Sequence, residues 1–144
     1  MSQAPQLPRP LPQPDKFTQF YWDAAKQHKL AILRCQDCGT FIHMPRPLCR
    51  DCLSTNLAPY ETNGRGTVYT YTQTHYIYHP YWADEAPYVV ALVELEDDPS
   101  VRIVCNIVDC ANDQVRIGMP VEVVFEELTD EVSIPQFRPR SSPS

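Results

Sequence analysis

Four cysteines constrain this chain more than any other feature. They stand as Cys35-Gln-Asp-Cys38 and Cys49-Arg-Asp-Cys52, two C-x-x-C pairs with ten residues between them. Each pair predicts a tight turn that gathers two sulfurs on one side. Two such turns facing each other offer four thiolates at the corners of a tetrahedron, the arrangement structural Zn²⁺ accepts. Gly39, directly after the first pair, supplies the φ > 0 freedom that bends backbone N–H groups toward the sulfurs. Arg34, Arg46 and Arg50 flank the cluster and offer positive charge against a four-thiolate centre. The expectation is one zinc per chain on Cys35, Cys38, Cys49 and Cys52. A four-cysteine site is closed to water and substrate, so such a zinc is structural rather than catalytic.

Other chemistries compete for the same residues. Two disulfides would need an oxidising compartment, and the first residues, Met-Ser-Gln-Ala-Pro-Gln-Leu-Pro-Arg-Pro, carry neither an apolar secretion segment nor an Arg/Ser-rich transit pattern. A redox C-x-x-C opens a helix in a βαβ unit, whereas Pro45 and Pro47 interrupt this segment. An iron site remains as an alternative to zinc. A reducing cytoplasm is the expected compartment. No apolar run approaches the ~20 residues a membrane helix requires.

The chain changes character along its length. Residues 1–14 hold five prolines and no apolar period, which predicts a poorly ordered arm. Residues 15–33 predict a helix and a lead-in strand. Asp15 caps the helix, and Phe17, Phe20, Tyr21, Ala24, Ala25 and His28 form a stripe that packs on the domain or serves as a docking ridge. The ribbon is expected over 34–60. From residue 61 the period becomes two: strands are read at 67–75, 88–96, 101–107 and 121–125, with shorter pieces at 115–117 and 132–134. No helix-length gap separates them, so an antiparallel barrel or sandwich is expected over 61–139, followed by a polar tail at 140–144.

In this order stand Phe20-Tyr-Trp22, Arg34-Cys-x-x-Cys-Gly39, Pro45-Arg46, Gly64-x-Gly66-Thr-Val68, Pro87-Tyr-Val-Val, Gly118-Met-Pro-Val121 and Phe137-Arg-Pro139. Together, over about residues 15–139, they resemble the acyl-CoA-associated OB-fold family. Leu53 departs mildly from the family pattern, which usually has a small residue after the second pair. The resemblance implies a mainly β chain with a short N-terminal helix, a rubredoxin-like zinc ribbon and an OB-fold five-stranded barrel. It further implies a non-catalytic accessory subunit of a thiolase-like enzyme acting on acyl-CoA in lipid, aromatic or steroid metabolism. Such a partner is a thiolase, retro-aldolase or acyltransferase that supplies the nucleophilic cysteine. The accessory chain braces it in a hetero-oligomer and helps shape the acyl-CoA channel at their shared interface.

The residues themselves show no G-x-S-x-G elbow, H-E-x-x-H, Walker loop or dinucleotide fingerprint. Gly64-Arg-Gly66 reads as a bend into the barrel, with a phosphate nest as the alternative. Cys105 lies in an apolar strand and Cys110 follows Asp109, so neither suits a nucleophile. His43 falls between the cysteine pairs, where four thiolates already complete the ligand set. Asp84-Glu85 reads as a solvated pair.

The passage Thr-His75-Tyr76-Ile-Tyr78-His79-Pro-Tyr81-Trp82 is the most unusual. Tyr76, Tyr78, His79, Tyr81 and Trp82 form the candidate partner or acyl-CoA surface, because Tyr and Trp bury large area at low entropic cost. The bland reading is a loop whose aromatics cover the barrel mouth. An OB barrel with stacking aromatics also permits single-stranded nucleic-acid binding as the alternative function. The net charge of −6 argues against that, since phosphate contacts want a basic face.

Overall fold

A computed structural model describes residues 8–141. Asp15 opens the first turn: its carboxylate accepts the amides of Phe17 at 2.8 Å and Thr18 at 3.0 Å. The helix α1 (Gln19–Lys26) begins only after that turn, with Thr18 at its N-cap. Asp15 therefore caps the lead-in rather than the helix proper. The expected stripe divides between two cores. Phe20 packs against the ribbon and Tyr21 against the barrel. Phe17 stays exposed, and His28 leaves the helix at φ 58 to stack on Phe125 and meet Glu127 at 3.0 Å.

The ribbon is a three-stranded antiparallel sheet. β1 (Ala31–Cys35) lies between β2 (Phe41–Ile42) and β3 (Leu57–Glu61). β1 is buried on both faces, which is why its sequence runs apolar without alternation. Leu30 and Ile32 point into the barrel core, while Leu33 and Cys35 join Ile42 and Cys49 in a small second core. β2 and β3 are too short or too interrupted to be read from the sequence. Pro59 is tolerated because β3 is an edge strand.

The barrel follows as β4 (Arg65–Thr74), β5 (Tyr88–Leu95), β6 (Arg102–Asn106), β7 (Pro120–Glu127) and β8 (Ser133–Pro139). Their order is β6-β5-β4-β7-β8, all antiparallel. Ile107 then bridges Phe137 in parallel, and the Val108 amide donates to the Phe137 carbonyl at 2.8 Å. That contact brings β8 back to β6 and nearly closes the barrel, as the OB architecture requires. Phe137, Val121, Val93 and Ile32 are fully buried in one continuous core.

Gly66 has a packing reason: a Cβ there would stand 2.5 Å from the Glu94 carbonyl oxygen. The Gly64 carbonyl accepts from the Val123 amide at 2.7 Å, so Gly64-Arg-Gly66 is a bend and close approach, with no phosphate nest needed. Residues 115–117, expected as a short strand, instead form the turn between a 3-10 turn at Asn112–Gln114 and β7. The following Gly118 and Met119 are tied to both backbone groups of Val68, which leaves no length for a separate strand. The piece read at 132–134 extends into the full-length β8.

Of the stretch read as a loose arm, residues 1–7 lie outside the described residues. Arg9 in the remainder holds a tertiary contact, its guanidinium 2.7 Å from Glu126. Among the described residues no helix is long and apolar enough to cross a membrane.

Candidate metal centre and aromatic surface

The four cysteines predicted as ligands come together. All four sulfurs lie within 4.8 Å of one another, with 3.5 Å between Cys35 and Cys52 and between Cys38 and Cys49. Tetrahedral zinc with Zn–S bonds of about 2.3 Å places its sulfurs roughly 3.8 Å apart, so the donor set fits that ion in spacing and chemistry. Cys35 and Cys49 are buried; Cys38 and Cys52 face outward. With all four sulfurs committed to such an ion, no ligand position is left for substrate.

The two knuckles repeat one backbone pattern. Cys35 donates its amide to Thr40 and accepts from Gly39; Cys49 donates to Ser54 and accepts from Leu53. The repeat extends to side chains. The Thr40 hydroxyl donates to Asp51 at 2.7 Å, and the Ser54 hydroxyl donates to Asp37. Each C-x-D-C aspartate thus accepts from the residue that closes the opposite knuckle. Asn56 adds a second donor to Asp37 at 3.3 Å, and these hydrogen bonds, the Ser54 one foremost, hold the Asp37 carboxyl below its usual range.

The thiols divide in the same setting. Backbone donation from Cys38 lowers Cys35, and the Thr40 hydroxyl lowers Cys38. The Ser54 amide favours a Cys52 thiolate, but the neighbouring sulfurs and desolvation together push that thiol up to about 12. Four sulfurs this close cannot all carry charge without a cation among them, which is what Zn²⁺ supplies.

Of the flanking arginines, Arg34 donates to the Gly39 carbonyl at 3.2 Å and lies over the Phe41 ring at 4.7 Å. Arg50 sits 3.9 Å from Asp51. His43 is not part of the clustered donor group; its ring packs against that of Tyr21 at 5.7 Å, with its Nδ1 buried and unpartnered. Burial lowers its pKa. Cys105 is buried in the barrel, and desolvation pushes its thiol up to about 12, the opposite of what a nucleophile needs.

The aromatic passage separates into two parts. Tyr76 and Tyr78 are 69% and 77% exposed and meet edge to face at 4.8 Å. His79 turns inward, its Nδ1 accepting from the Tyr81 amide at 3.1 Å and capping a 3-10 turn at Pro80–Trp82. Trp82 is half-buried and packs edge-on to both His79 and Tyr81. This turn forms one wall of a cleft of about 530 Å³, opposite Asn106, Phe125 and Gln136. Arg9 reaches into the same wall, its guanidinium 5.6 Å from the Tyr81 ring and 5.9 Å from that of Trp82. Sequence reasoning missed Arg9, because a cation in a proline-rich arm carries no local signal of its distant partner.

Residues 22–58 match the family described as ChsH2, rubredoxin-like zinc ribbon domain, and residues 60–126 match ChsH2, C-terminal OB-fold domain. A probable enoyl-CoA hydratase alpha subunit from Thermomonospora curvata is 43% identical over 137 residues, 95% of this chain but 42% of that protein. The chain thus spans less than half the length of this relative. A DUF35 domain-containing scaffold protein from Methanocaldococcus jannaschii is 36% identical over 119 residues, covering 81% of this chain and 82% of the other. A solved structure described as the Ltp2-ChsH2(DUF35) aldolase includes a chain 43% identical, with a TM-score of 0.80 over 89% of this chain and 98% of that one. These matches show that the chain belongs to the ChsH2/DUF35 family of zinc-ribbon, OB-fold proteins.

Proposed function

We propose that this chain is a non-catalytic accessory subunit of a thiolase-like enzyme that makes or breaks a C–C bond beside an acyl-CoA thioester. The observation that carries the reading is the 43% identity, over nearly the whole of both chains, to a component of an aldolase assembly. The chemistry on this chain agrees with it. Cys35, Cys38, Cys49 and Cys52 hold one zinc as scaffolding, and the buried Cys105 thiol stays protonated. In this reading the ribbon and helix brace the barrel. The barrel presents Tyr76, Tyr78, His79, Tyr81 and Trp82 to a thiolase-fold subunit and to the acyl-CoA at their interface, in the cytoplasm.

The single-stranded nucleic-acid reading gains no support. Arg9, the cation beside the aromatic turn, is already paired with Glu126, and Asp84 and Glu85 follow directly. Co-expression with thiolase-fold subunits, followed by size exclusion and an aldol-cleavage assay, tests the proposal. Co-elution and dependence of turnover on this chain are expected. A partner enzyme whose elution and turnover both ignore the chain would end it.

A further inference from the structure

β4 changes its surroundings halfway along. Gly66 and Thr67 pair with β7 on one side and β5 on the other, and Arg65 pairs with Glu122 of β7 while its carbonyl accepts from the Glu96 amide just past β5. After the irregularity at Val68/Thr70, β4 pairs only with β5. Residues 69–73 are exposed on both faces, so this half of the strand stands off the barrel as a flange with one open edge.

The hydrogen-bonding direction of each residue follows from the ladder. The Glu96 amide donates to Arg65 on β4, whereas the Leu95 amide donates to Val101 on the β6 side. Even-numbered β5 residues therefore face β4, and Leu92 and Val90 pair with Thr70 and Thr72. Tyr71 and Gln73 then point their N–H and C=O groups to the open edge.

Protein edges are normally blunted by charge, proline or a bulge at the exposed positions. Here residues 66–83 contain no Asp, Glu, Lys or Arg in a chain that is 21% charged. Threonine and tyrosine dominate the flange, and it runs on into the exposed Tyr76, Ile77 and Tyr78. A solvent-facing surface does not need this composition. An interface core does.

We propose that the open edge of β4 at Tyr71 and Gln73 is a strand-addition site, taken by an extended, uncharged segment of the catalytic partner subunit. This rests on the reading of the chain as an accessory subunit. A second copy of the chain fits poorly. Antiparallel self-pairing about Thr72 sets Thr70 of one copy opposite Thr74 of the other and stops there, because β4 ends at Thr74 and the Val68 edge is filled by Gly118 and Met119 at 2.8 and 3.0 Å. A charged segment fits poorly too, because the nearest charge on the flange, Arg102 over the Tyr69 ring at 3.8 Å, is already paired with Glu94 at 3.4 Å and leaves incoming charge unmatched. A foreign neutral strand meets neither obstacle. Main-chain bonds at Tyr71 and Gln73 would give it affinity, and Tyr69, Tyr76 and Tyr78 would select its side chains.

The test uses full-length chain, with the Ltp2 chain of the solved aldolase as the first probe and a co-expressed thiolase-fold subunit as the second. Gln73→Pro removes an outward amide without touching the β5 ladder, so the free protein should keep its zinc and its melting temperature. Binding should weaken about tenfold or more in Gln73→Pro and stay near wild type in Gln73→Ala, because the contact is made by the main chain. Hydrogen exchange on the wild-type complex gives an independent reading: the Tyr71 and Gln73 amides should become protected. Equal binding by wild type and Gln73→Pro, or unprotected amides in a formed complex, would overturn the strand-addition site while leaving the accessory role intact. A wild-type chain that binds neither probe would take both down. A homodimer abolished by Gln73→Pro would assign the edge to a second copy instead.

Discussion

Thr40 donates its hydroxyl to Asp51 at 2.7 Å, joining the end of one zinc knuckle to the middle of the other. Ser54 and Asp37 make the reciprocal contact. The sulfur cluster is therefore braced by a pair of crossed hydrogen bonds, and on one side the Thr40 hydroxyl also lies 3.1 Å from the Cys38 sulfur. Groups of this kind orient metal ligands, and their removal typically costs 10–100-fold in affinity. Asp51→Ala and Asp37→Ala should each weaken zinc by about that factor, measured by competition with a chromophoric chelator. Unchanged affinity in both would mean the knuckles hold their geometry through backbone bonds alone.

Removing a sulfur has a larger effect. Cys49 is wholly buried beside Leu33, Cys35 and Ile42. Structural zinc contributes on the order of 10 kcal/mol in small sites, so Cys49→Ser should lose both the metal and the folded ribbon. Zinc per chain, read with circular dichroism, checks this. Zinc loss with an undisturbed fold would show that the ribbon core stands without its ion.

Leu53 occupies in the second knuckle the left-handed position that Gly39 fills in the first, at φ 63 against 80. A residue with a Cβ pays roughly 1–2 kcal/mol there, offset in part by the greater freedom glycine has when unfolded. Leu53→Gly should raise stability by about 0.5–1 kcal/mol, seen as a higher denaturation midpoint. A lower midpoint would mean that the Leu53 side chain contributes packing that outweighs its backbone strain.

Gly66 leaves no room for a methyl group against the Glu94 carbonyl. Gly66→Ala should force β4 and β5 apart and destabilise the barrel by ~1–3 kcal/mol, as overpacked cores do. Urea unfolding of the variant gives the value directly.

His43 carries a depressed pKa because of burial. The unfolded chain takes up a proton near pH 6.5 and the folded one only at lower pH, so stability is lost as pH falls below about 6.5. Tyr21 faces the ring, and the cleft it borders is lined by Thr18, Trp22, Met44, Ile103 and Val104, with Arg102 as its charged residue and no carboxylate. His43→Phe should flatten this part of the stability–pH curve and remove the buried unpartnered Nδ1. An unaltered slope would assign the pH dependence to other groups, the cysteine thiols first.

The metal donor set was legible because cysteine spacing is local: two turns of four residues bring their own sulfurs together wherever the rest of the chain goes. The barrel strands were legible for a similar reason, since β-branched and aromatic runs bounded by breakers mark strands locally; in β5 an almost unbroken apolar run takes on alternating burial only in the fold. β2 and β3 were not, because two residues and a proline-bearing segment become strands only through the edges of β1. Residues 115–117 were misread as a strand because an apolar residue in a covering turn looks the same as one in a sheet.

By itself, then, the sequence determined the four clustered cysteines, the order of ribbon and barrel, and the aromatic passage, all properties of neighbours along the chain. Only the tertiary structure decided which aromatics face outward, that Arg9 closes on Tyr81, Trp82 and Glu126, and that half of β4 is left with β5 as its one strand neighbour. The last depends on where β7 stops pairing with β4. That is a packing outcome between segments some fifty residues apart, and no local pattern encodes it.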